Sequence, residues 1–277
     1  MWQSDRQADE LVILSLGGGV QSSTLLLMME HGEVERADVA IFADTMAEPA
    51  SLYQYLDYLR TQTSIPILTC SQGNLEQHIL NGVRTGARVS QAPFYVCNPN
   101  KPGDRKGMLW RACTRYFKLA PLRREYRKQM AERGVKRAVS VIGISLDECS
   151  RMKDSGVKYL RNEYPLIDMR ITRTGCLQWM SDHGYRLPSK SACYFCPYTS
   201  NARWIEMRKH EPDTFARAVA FDAEIRTNKL PGVHGDCFVH RRAVPLMDAT
   251  DDGGQMALDL GTGERDFQQE CEGMCGV

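Results

Sequence analysis

Short apolar runs alternate with stretches of helical character along the first half of the chain. Each run is followed by glycine, aspartate or another polar residue, as expected where a buried strand leaves a sheet. The predicted strands are Leu11–Leu16, Val39–Phe42, Ile65–Leu68 and Ala138–Ile144. The predicted helices are Gln21–His31, Ala47–Gln62 and Cys113–Arg133. This alternation predicts an α/β fold with a doubly wound, mostly parallel sheet.

The pattern changes in two later regions. Residues 69–111 contain several prolines, asparagines and glycines and are predicted to form a long functional loop rather than core. A further helix is predicted around Thr174–His183, and the remainder is rich in Cys, Trp and Pro. We therefore divide the chain into an α/β domain over residues 1–185 and a Cys-containing helical subdomain with an acidic tail over 186–277.

Charge is balanced overall but unevenly distributed. The 277 residues carry a net charge of +1. Residues 104–137 hold twelve basic and three acidic side chains, whereas residues 248–272 hold eight acidic and one basic. The basic segment suits a polyanion such as nucleic acid or nucleotide phosphate, although such runs are also common on solvated helix faces. The sequence shows neither a membrane-length apolar run nor a signal-peptide pattern, so we expect a cytoplasmic protein without a membrane partner.

The first predicted strand runs into a glycine-rich turn, Ser15-Leu16-Gly17-Gly18-Gly19-Val20-Gln21-Ser22-Ser23. Glycines let the backbone approach a phosphate closely, and amides at the start of the next helix favour an anion. The spacing matches neither a Walker loop nor a dinucleotide fingerprint. We predict that Ser15, Gly17, Gly18, Gly19, Gln21, Ser22 and Ser23 bind nucleotide phosphate; an ordinary strand–helix turn is the alternative.

Two other predicted strands end in residues suited to the same ligand. Asp44 follows the second strand, and the sequence from Gly143 to Asp147 follows the fourth. Open parallel sheets bind ligands at the carboxyl ends of their strands. We therefore include Asp44, Gly143 and Asp147 in one predicted cofactor-binding site.

The ten cysteines are too few for a disulfide scaffold, and some are grouped. Cys193 and Cys196 form a Cys-x-x-Cys pair, a spacing that lets two thiolates bind one metal or cluster. Cys113 has Arg115 close by in sequence, which favours its thiolate. With Cys275 from the tail, Cys113, Cys193 and Cys196 form a candidate metal set for zinc or a [4Fe–4S] cluster. His183 and His240 are lone histidines, for which a structural role is the more common one.

Several motifs, taken together, resemble one known group. The glycine loop, FADTMAEP (42–49), ACTRYFKLAPL (112–122) and GISLDECSRMK (143–153) resemble the PP-loop ATP pyrophosphatase superfamily, nearest its phosphoadenosine phosphosulfate (PAPS) reductase-like branch. The resemblance covers about residues 10–200. It implies an adenine nucleotide alpha hydrolase-like fold and ATP, or a related nucleotide, with Mg²⁺. Gln21 stands where most superfamily members have Asp, so magnesium-assisted adenylation is less expected than nucleotide binding.

The resemblance also implies roles for individual residues. Lys118, Arg115 and Arg151 would contact phosphates. Cys113, with its cationic neighbours, is a catalytic candidate alongside Lys118 and Arg151. Cluster-bearing relatives favour iron–sulfur slightly over zinc. PAPS reductases end in a Glu-Cys segment with a nucleophilic thiol, which places Cys271 as a second catalytic candidate, although a ligand role for the tail cysteines is the stronger expectation.

Three functional classes remain open from the sequence. The first is a PP-loop enzyme that activates or thiolates an acceptor, such as tRNA or DNA bound through residues 104–137, with a sulfur-donor protein as a further partner. The second is a sulfonucleotide reductase that uses Cys271. The third is a non-catalytic nucleotide-sensing module.

Overall fold

The computed structural model describes residues 1–7, 9–97 and 107–249. The strands in this part of the chain are β1 (Glu10–Leu16), β2 (Val39–Asp44), β3 (Ile67–Ser71), β4 (Tyr95–Cys97), β5 (Gly107–Met108), β6 (Arg137–Ile142), β7 (Leu160–Glu163) and β8 (Asp236–Phe238). Five of them form the main sheet in the order β3-β2-β1-β6-β7, with every neighbouring pair parallel. The predicted α/β class is thereby confirmed.

Helices connect these strands. They are α1 (Val20–Glu30), α2 (Ala50–Gln62), α3 (Leu75–Thr85), α4 (Ala120–Glu132), α5 (Pro165–Asp168), α6 (Arg173–Asp182), α7 (Asn201–His210), α8 (Pro212–Thr227) and α9 (Leu246–Ala249). A π-helix over Thr114–Leu119 runs directly into α4, and a 3₁₀ segment over Leu146–Arg151 follows β6. The predicted basic helix therefore exists, but its first part is a π-helix.

Both faces of the main sheet are covered, as a doubly wound arrangement requires. Val12 and Leu14 of β1 pack into one buried cluster with α1, α2 and α6. Leu11 and Ile13 alternate with them and pack with α4 in a second cluster. Because successive side chains of a strand point to opposite faces, the unbroken apolar run of β1 supplies both cores.

The order in which strands are added to the sheet reverses at β1. From β1 it moves through β2 to β3, and it then returns to add β6 and β7 on the other side. A crevice outside the carboxyl ends of β1 and β6 is therefore the topological switch point, the usual ligand site of open α/β sheets.

The remaining elements form a third core. Buried side chains from α3, α7 and α8 pack together, and a small antiparallel sheet, β5-β4-β8, lies in the same part of the molecule. This core contains Leu75 and Phe94 from before residue 185 and Trp204 and Phe221 from after it. The domain boundary placed between residues 185 and 186 stays a prediction.

Two parts of the sequence interpretation were wrong. Residues 69–111 are not one irregular loop, because α3 lies within them and buries Leu75, Ile79 and Val83 at helical spacing. The strand β7 was not predicted, since its sequence, LRNE, is only half-buried at the sheet edge. None of the helices in the described part of the chain combines the length and apolar composition that crossing a bilayer requires.

Candidate functional site

The glycine turn lies between β1 and α1, at the switch point. Gly18 has φ +73°, and a Cβ there would lie 2.7 Å from Leu52 Cδ1, so both conformation and space favour glycine. Gly19 is the N-cap residue of α1, and within the described structure no side chain caps this helix start. Because no described side chain caps them, the first amides of α1 can donate hydrogen bonds to an anion.

The turn is nevertheless closed by neighbouring groups. Residues 15–23 are all buried. The Gly17 N–H donates to Ser22 Oγ at 3.1 Å, and Ser191 Oγ donates to the Gly17 carbonyl at 2.5 Å. Ser191 belongs to an irregular segment that precedes the Cys-x-x-Cys pair. We call residues 187–192 the covering segment, because Ser191 within it contacts the turn.

Gln21 belongs to a buried polar network between α1 and the 3₁₀ segment after β6. Its Nε2 donates to Glu148 Oε2 at 2.9 Å and to Ser145 Oγ at 3.3 Å. Arg151 pairs with the other carboxylate oxygen of Glu148 at 2.5 Å. Aspartate, the usual residue of the resembled motif, would place a second carboxylate against Glu148. The network gives a physical reason for glutamine at this position.

Gly143 and Ser15 have packing roles. A Cβ at Gly143 would lie 2.6 Å from the Ser22 backbone nitrogen, so β6 can approach α1 only with glycine here. Ser15 is buried in β1, and its side chain interacts with the Tyr126 hydroxyl on α4. Neither role requires a ligand.

The two predicted aspartates are also engaged within the protein. Asp44 Oδ1 accepts hydrogen bonds from the Met46 N–H at 2.7 Å and from Tyr53 Oη at 2.8 Å. Burial and the Asp44 carboxylate raise the pKa of Tyr53, so its hydroxyl stays protonated as a donor. Asp147 accepts from the Arg173 N–H at 3.0 Å and thereby holds the start of α6.

Cys113 and the Cys193/Cys196 pair, which are far apart in sequence, line one cavity. Cys113, at the start of the π-helix, lies there with Cys193 and Cys196, and the cavity has a volume of about 20 Å³. The other lining residues are Thr45, Leu75, Ala92, Pro93, Arg111, Lys118, Phe195 and Tyr198. Thr45 follows the end of β2, so the cavity adjoins the carboxyl edge of the main sheet.

A buried ion pair lies beside these thiols. Lys118 Nζ is 3.5 Å from Glu48 Oε1, and their side chains are 7% and 0% exposed. The Cys193 thiol is 3.2 Å from Thr45 Oγ1 and 3.7 Å from Glu48 Oε1. Burial, with the Glu48 carboxylate, raises the pKa of Cys193 well above its ordinary value, although Lys118 acts in the opposite direction. Without a bound cation, this thiol is therefore protonated at neutral pH.

A basic groove begins on the same π-helix. Four arginines, Arg115, Arg123, Arg124 and Arg127, line a groove of about 440 Å³ together with Leu119, Ala120, Val157 and Tyr159. Three of them, Arg115, Arg124 and Arg127, are exposed. Arg123 is held in place by a hydrogen bond from Nη2 to the Ser155 carbonyl at 3.0 Å. Four arginines of the predicted basic segment therefore share one cationic groove.

The structure thus brings together three of the four predicted metal ligands and Lys118. Cys271 and Cys275 lie outside the described residues. Sequence reasoning missed Glu48, Thr45 and Ser191, although Glu48 and Thr45 lie within the quoted motif FADTMAEP. Nothing in the local sequence around Ser191 indicates that it contacts Gly17.

Comparisons with known proteins add little to the chemistry. No protein-family model matches the chain, and no curated protein matches it. Among solved structures, the chain is similar to phosphoadenylyl-sulfate (PAPS) reductase from Candida auris in a phosphate complex, with 11% identity and a TM-score of 0.42. The match covers 64% of this chain and 74% of the reductase. The fold class itself is established by the sheet topology described above.

Proposed function

We propose that this protein is an ATP-dependent enzyme that activates a nucleic-acid acceptor at the carboxyl edge of its parallel sheet. The observation that carries the proposal is the position of the turn Gly17–Gly19. It leads into an uncapped helix at the topological switch point, where open sheets bind phosphorylated ligands. The motif resemblance supports ATP as the nucleotide.

The remaining groups at this edge suit the charge that phosphates bring. Lys118 and Arg151 supply cations close to the turn, each paired with a glutamate in the closed structure. The Asp44 and Glu148 carboxylates are of the kind that Mg²⁺ prefers when it accompanies ATP. In this proposal, the covering segment 187–192 opens to admit the nucleotide and then closes over it, which excludes water from the phosphates.

The cysteine cavity fits a single metal ion better than a cluster. The cavity that the three cysteines line has about 20 Å³, which is room for one water molecule or one ion. Their sulfur atoms do not all lie within 4.8 Å of one another, so they would draw together on binding. Cys113, Cys193 and Cys196 would hold it, with a tail cysteine as the fourth ligand. Thiolate ligation suits Zn²⁺, which stabilises bound thiolates and orients sulfur chemistry. A four-iron cluster would require the cavity to widen.

The basic groove supports nucleic acid as the acceptor. One π-helix carries Arg115 on the groove and Lys118 on the cavity, with Cys113 immediately before it. A phosphate backbone bound by the four arginines would therefore reach the same π-helix that carries Lys118. π-helices occur often at functional sites, which agrees with this dual use.

The nucleotide proposal is tested by the variant Gly19→Ala. Gly19 has φ −91°, a value open to every residue, so alanine fits the backbone but adds a methyl group where phosphate would approach. We expect calorimetry to show ATP binding by the wild type and its loss in this variant. Gly107→Ala is the matched control, because a Cβ there meets nothing within 4 Å. Equal ATP binding by Gly19→Ala, or none by the wild type, would reject the proposal.

Turnover separates the functional classes. With tRNA or DNA present, the proposed enzyme converts ATP to AMP and pyrophosphate, and both products are quantified. Sulfite release from PAPS in the presence of a thiol reductant, with no pyrophosphate from ATP, would instead identify the sulfonucleotide reductase. ATP binding without either reaction would identify the nucleotide-sensing module.

The groove proposal is tested by salt dependence. Arg124→Ala/Arg127→Ala should weaken tRNA and DNA binding and lower the slope of log K against log salt by about 0.7–0.9 for each phosphate that the variant no longer neutralises. Arg208→Ala/Lys209→Ala removes the same charge from α7 and should leave the slope unchanged. Identical slopes for the two double variants would rule out the groove as the binding surface.

A further inference from the structure

A second cluster of metal-ligating side chains lies at the far ends of helices α1 and α6, away from the strand ends. One ring nitrogen each of His31 and His183 and a carboxylate oxygen of Glu33 lie within 4.8 Å of one another. In the described part of the chain, no other group of three or more His, Cys, Asp or Glu residues is so close. We propose that these three residues bind a divalent transition-metal ion of the Zn²⁺ type.

The helices place these ligands where a cation is favoured. His31 is the C-cap residue of α1, and His183 is the C-cap residue of α6, which packs against α1. The carbonyl ends of two helices therefore meet at the cluster, and each carries partial negative charge. Because α1 has 11 residues, its C-terminal end lies about 16 Å from the glycine turn. The site is separate from the proposed ATP site.

Each ligand is oriented by a hydrogen bond with a group that would not touch the metal. The Nδ1 of His183 lies 2.8 Å from the Trp179 carbonyl, which directs Nε2 towards Glu33 at 3.9 Å. The Nε2 of His31 lies 2.7 Å from Tyr185 Oη. Trp179 Nε1 donates to both carboxylate oxygens of Glu33 at 3.1 Å. Outer hydrogen bonds of this kind are a regular feature of metal sites.

Aromatic packing fixes the rings. The Trp179 indole stacks on His183, with centroids 4.0 Å apart, and the His31 ring meets the same indole edge-on at 5.4 Å. On metal binding, rotations of the three ligand side chains would bring their donor atoms to about 2 Å from the ion. Two imidazoles and one carboxylate select zinc or another first-row divalent ion, and they leave positions for water. The ion would tie the ends of α1 and α6 together.

The test uses Co²⁺ as a spectroscopic probe on the full chain. Co²⁺ bound by nitrogen and oxygen lacks the thiolate charge-transfer band that the cysteine cavity would give. We expect one equivalent of such Co²⁺ in the wild type, lost in His31→Ala and His183→Ala and retained in His210→Ala, an exposed histidine of α7. Circular dichroism without metal verifies that all variants fold. Equal binding by these four proteins, or no thiolate-free Co²⁺ in the wild type, would overturn the proposal.

Two further variants separate a built site from a chance pair of histidines. Trp179→Phe keeps an aromatic ring but loses the hydrogen bonds to Glu33, and Tyr185→Phe loses the hydroxyl beside His31. Each leaves all three ligands in place. We expect Co²⁺ and Zn²⁺ affinity to fall about 10- to 100-fold in each. Wild-type affinity in both variants would contradict the proposed site.

Discussion

The glycine turn and the cysteine cavity lie at the same edge of the sheet but differ in how they are built. The turn is built from consecutive residues. It is closed, because the Gly17 N–H donates a hydrogen bond to Ser22 and the Gly17 carbonyl accepts one from Ser191. The cavity is assembled from side chains of several separate segments and keeps an open space among three thiols. The turn is therefore a local structure whose backbone groups are already hydrogen-bonded, whereas the cavity depends on segments brought together by the fold.

This difference indicates how each region would acquire a ligand. A small ion fits the space of the cavity, but binding by all three cysteines requires their thiols to move closer together, because the three sulfur atoms do not all lie within 4.8 Å of one another. In the proposed function, a nucleotide displaces the segment 187–192, which continues directly into Cys193 and Cys196 of the cavity. One continuous segment therefore joins the two regions, and we expect that a ligand bound at one influences binding at the other. Variants that change only one of the two regions should reveal that connection.

The largest effect is expected from removal of two cavity thiols. Cys193→Ser/Cys196→Ser should abolish metal binding at the cavity, because one remaining described cysteine cannot hold the ion by itself. Elemental analysis of the purified protein, together with Co²⁺ thiolate absorption, measures this loss. Cys149→Ser is the control, since Cys149 is exposed and does not line the cavity. Thiolate-bound metal persisting in the double variant would show that the cavity is not the site.

The next effect concerns the ion pair that supports the cavity. Lys118→Met leaves the fully buried Glu48 carboxylate without its cation, and we expect the free energy of unfolding to fall by about 3–5 kcal/mol. Lys118→Met/Glu48→Leu removes both charges and should recover most of that stability. Urea denaturation at pH 7 measures both variants. Equal stability of the single and double variants would mean that Glu48 is not desolvated.

Much of the fold could be predicted from the sequence, because β1, β2 and β6 are short apolar runs buried on both faces. The helix α3 was missed since nearby prolines and glycines hid the spacing of Leu75, Ile79 and Val83. Edge strand β7 was missed because its side chains are half-buried and polar. In each case tertiary packing determines the secondary structure, which the local sequence pattern does not specify.

The site divides in the same way. The turn Gly17–Gly19 is a local structure, so its sequence suffices to locate it. Contacts between Gln21 and Glu148, or between Gly17 and Ser191, join residues 127 and 174 positions apart. Such pairs depend on how the strands are ordered in the sheet, and a single sequence does not encode that order in any short motif. The closed state of the turn therefore emerges only from the structure.

A smaller effect is expected when the usual aspartate is restored at position 21. In Gln21→Asp, the new carboxylate faces that of Glu148, and the protein should be destabilised by about 1–3 kcal/mol at pH 7. Gln21→Met, which loses the hydrogen bond without adding charge, is the control and should cost less. The excess cost of aspartate should shrink as pH falls and the carboxylates become protonated. Equal costs for both variants at every pH would show that the two carboxylates do not interact.

The smallest effect tests whether the covering segment must leave the turn. Ser191→Ala removes one hydrogen bond to Gly17 and should lower stability by about 0.5–1.5 kcal/mol. If the nucleotide displaces this segment, the same free energy favours the open state, and ATP should bind up to about tenfold more tightly. Ser189→Ala is the matched control, because that hydroxyl contacts Ser51 instead of the turn. Calorimetry that shows lower stability but unchanged ATP affinity for Ser191→Ala would mean that ATP binds without breaking this contact, and the turn and the cavity would then act independently.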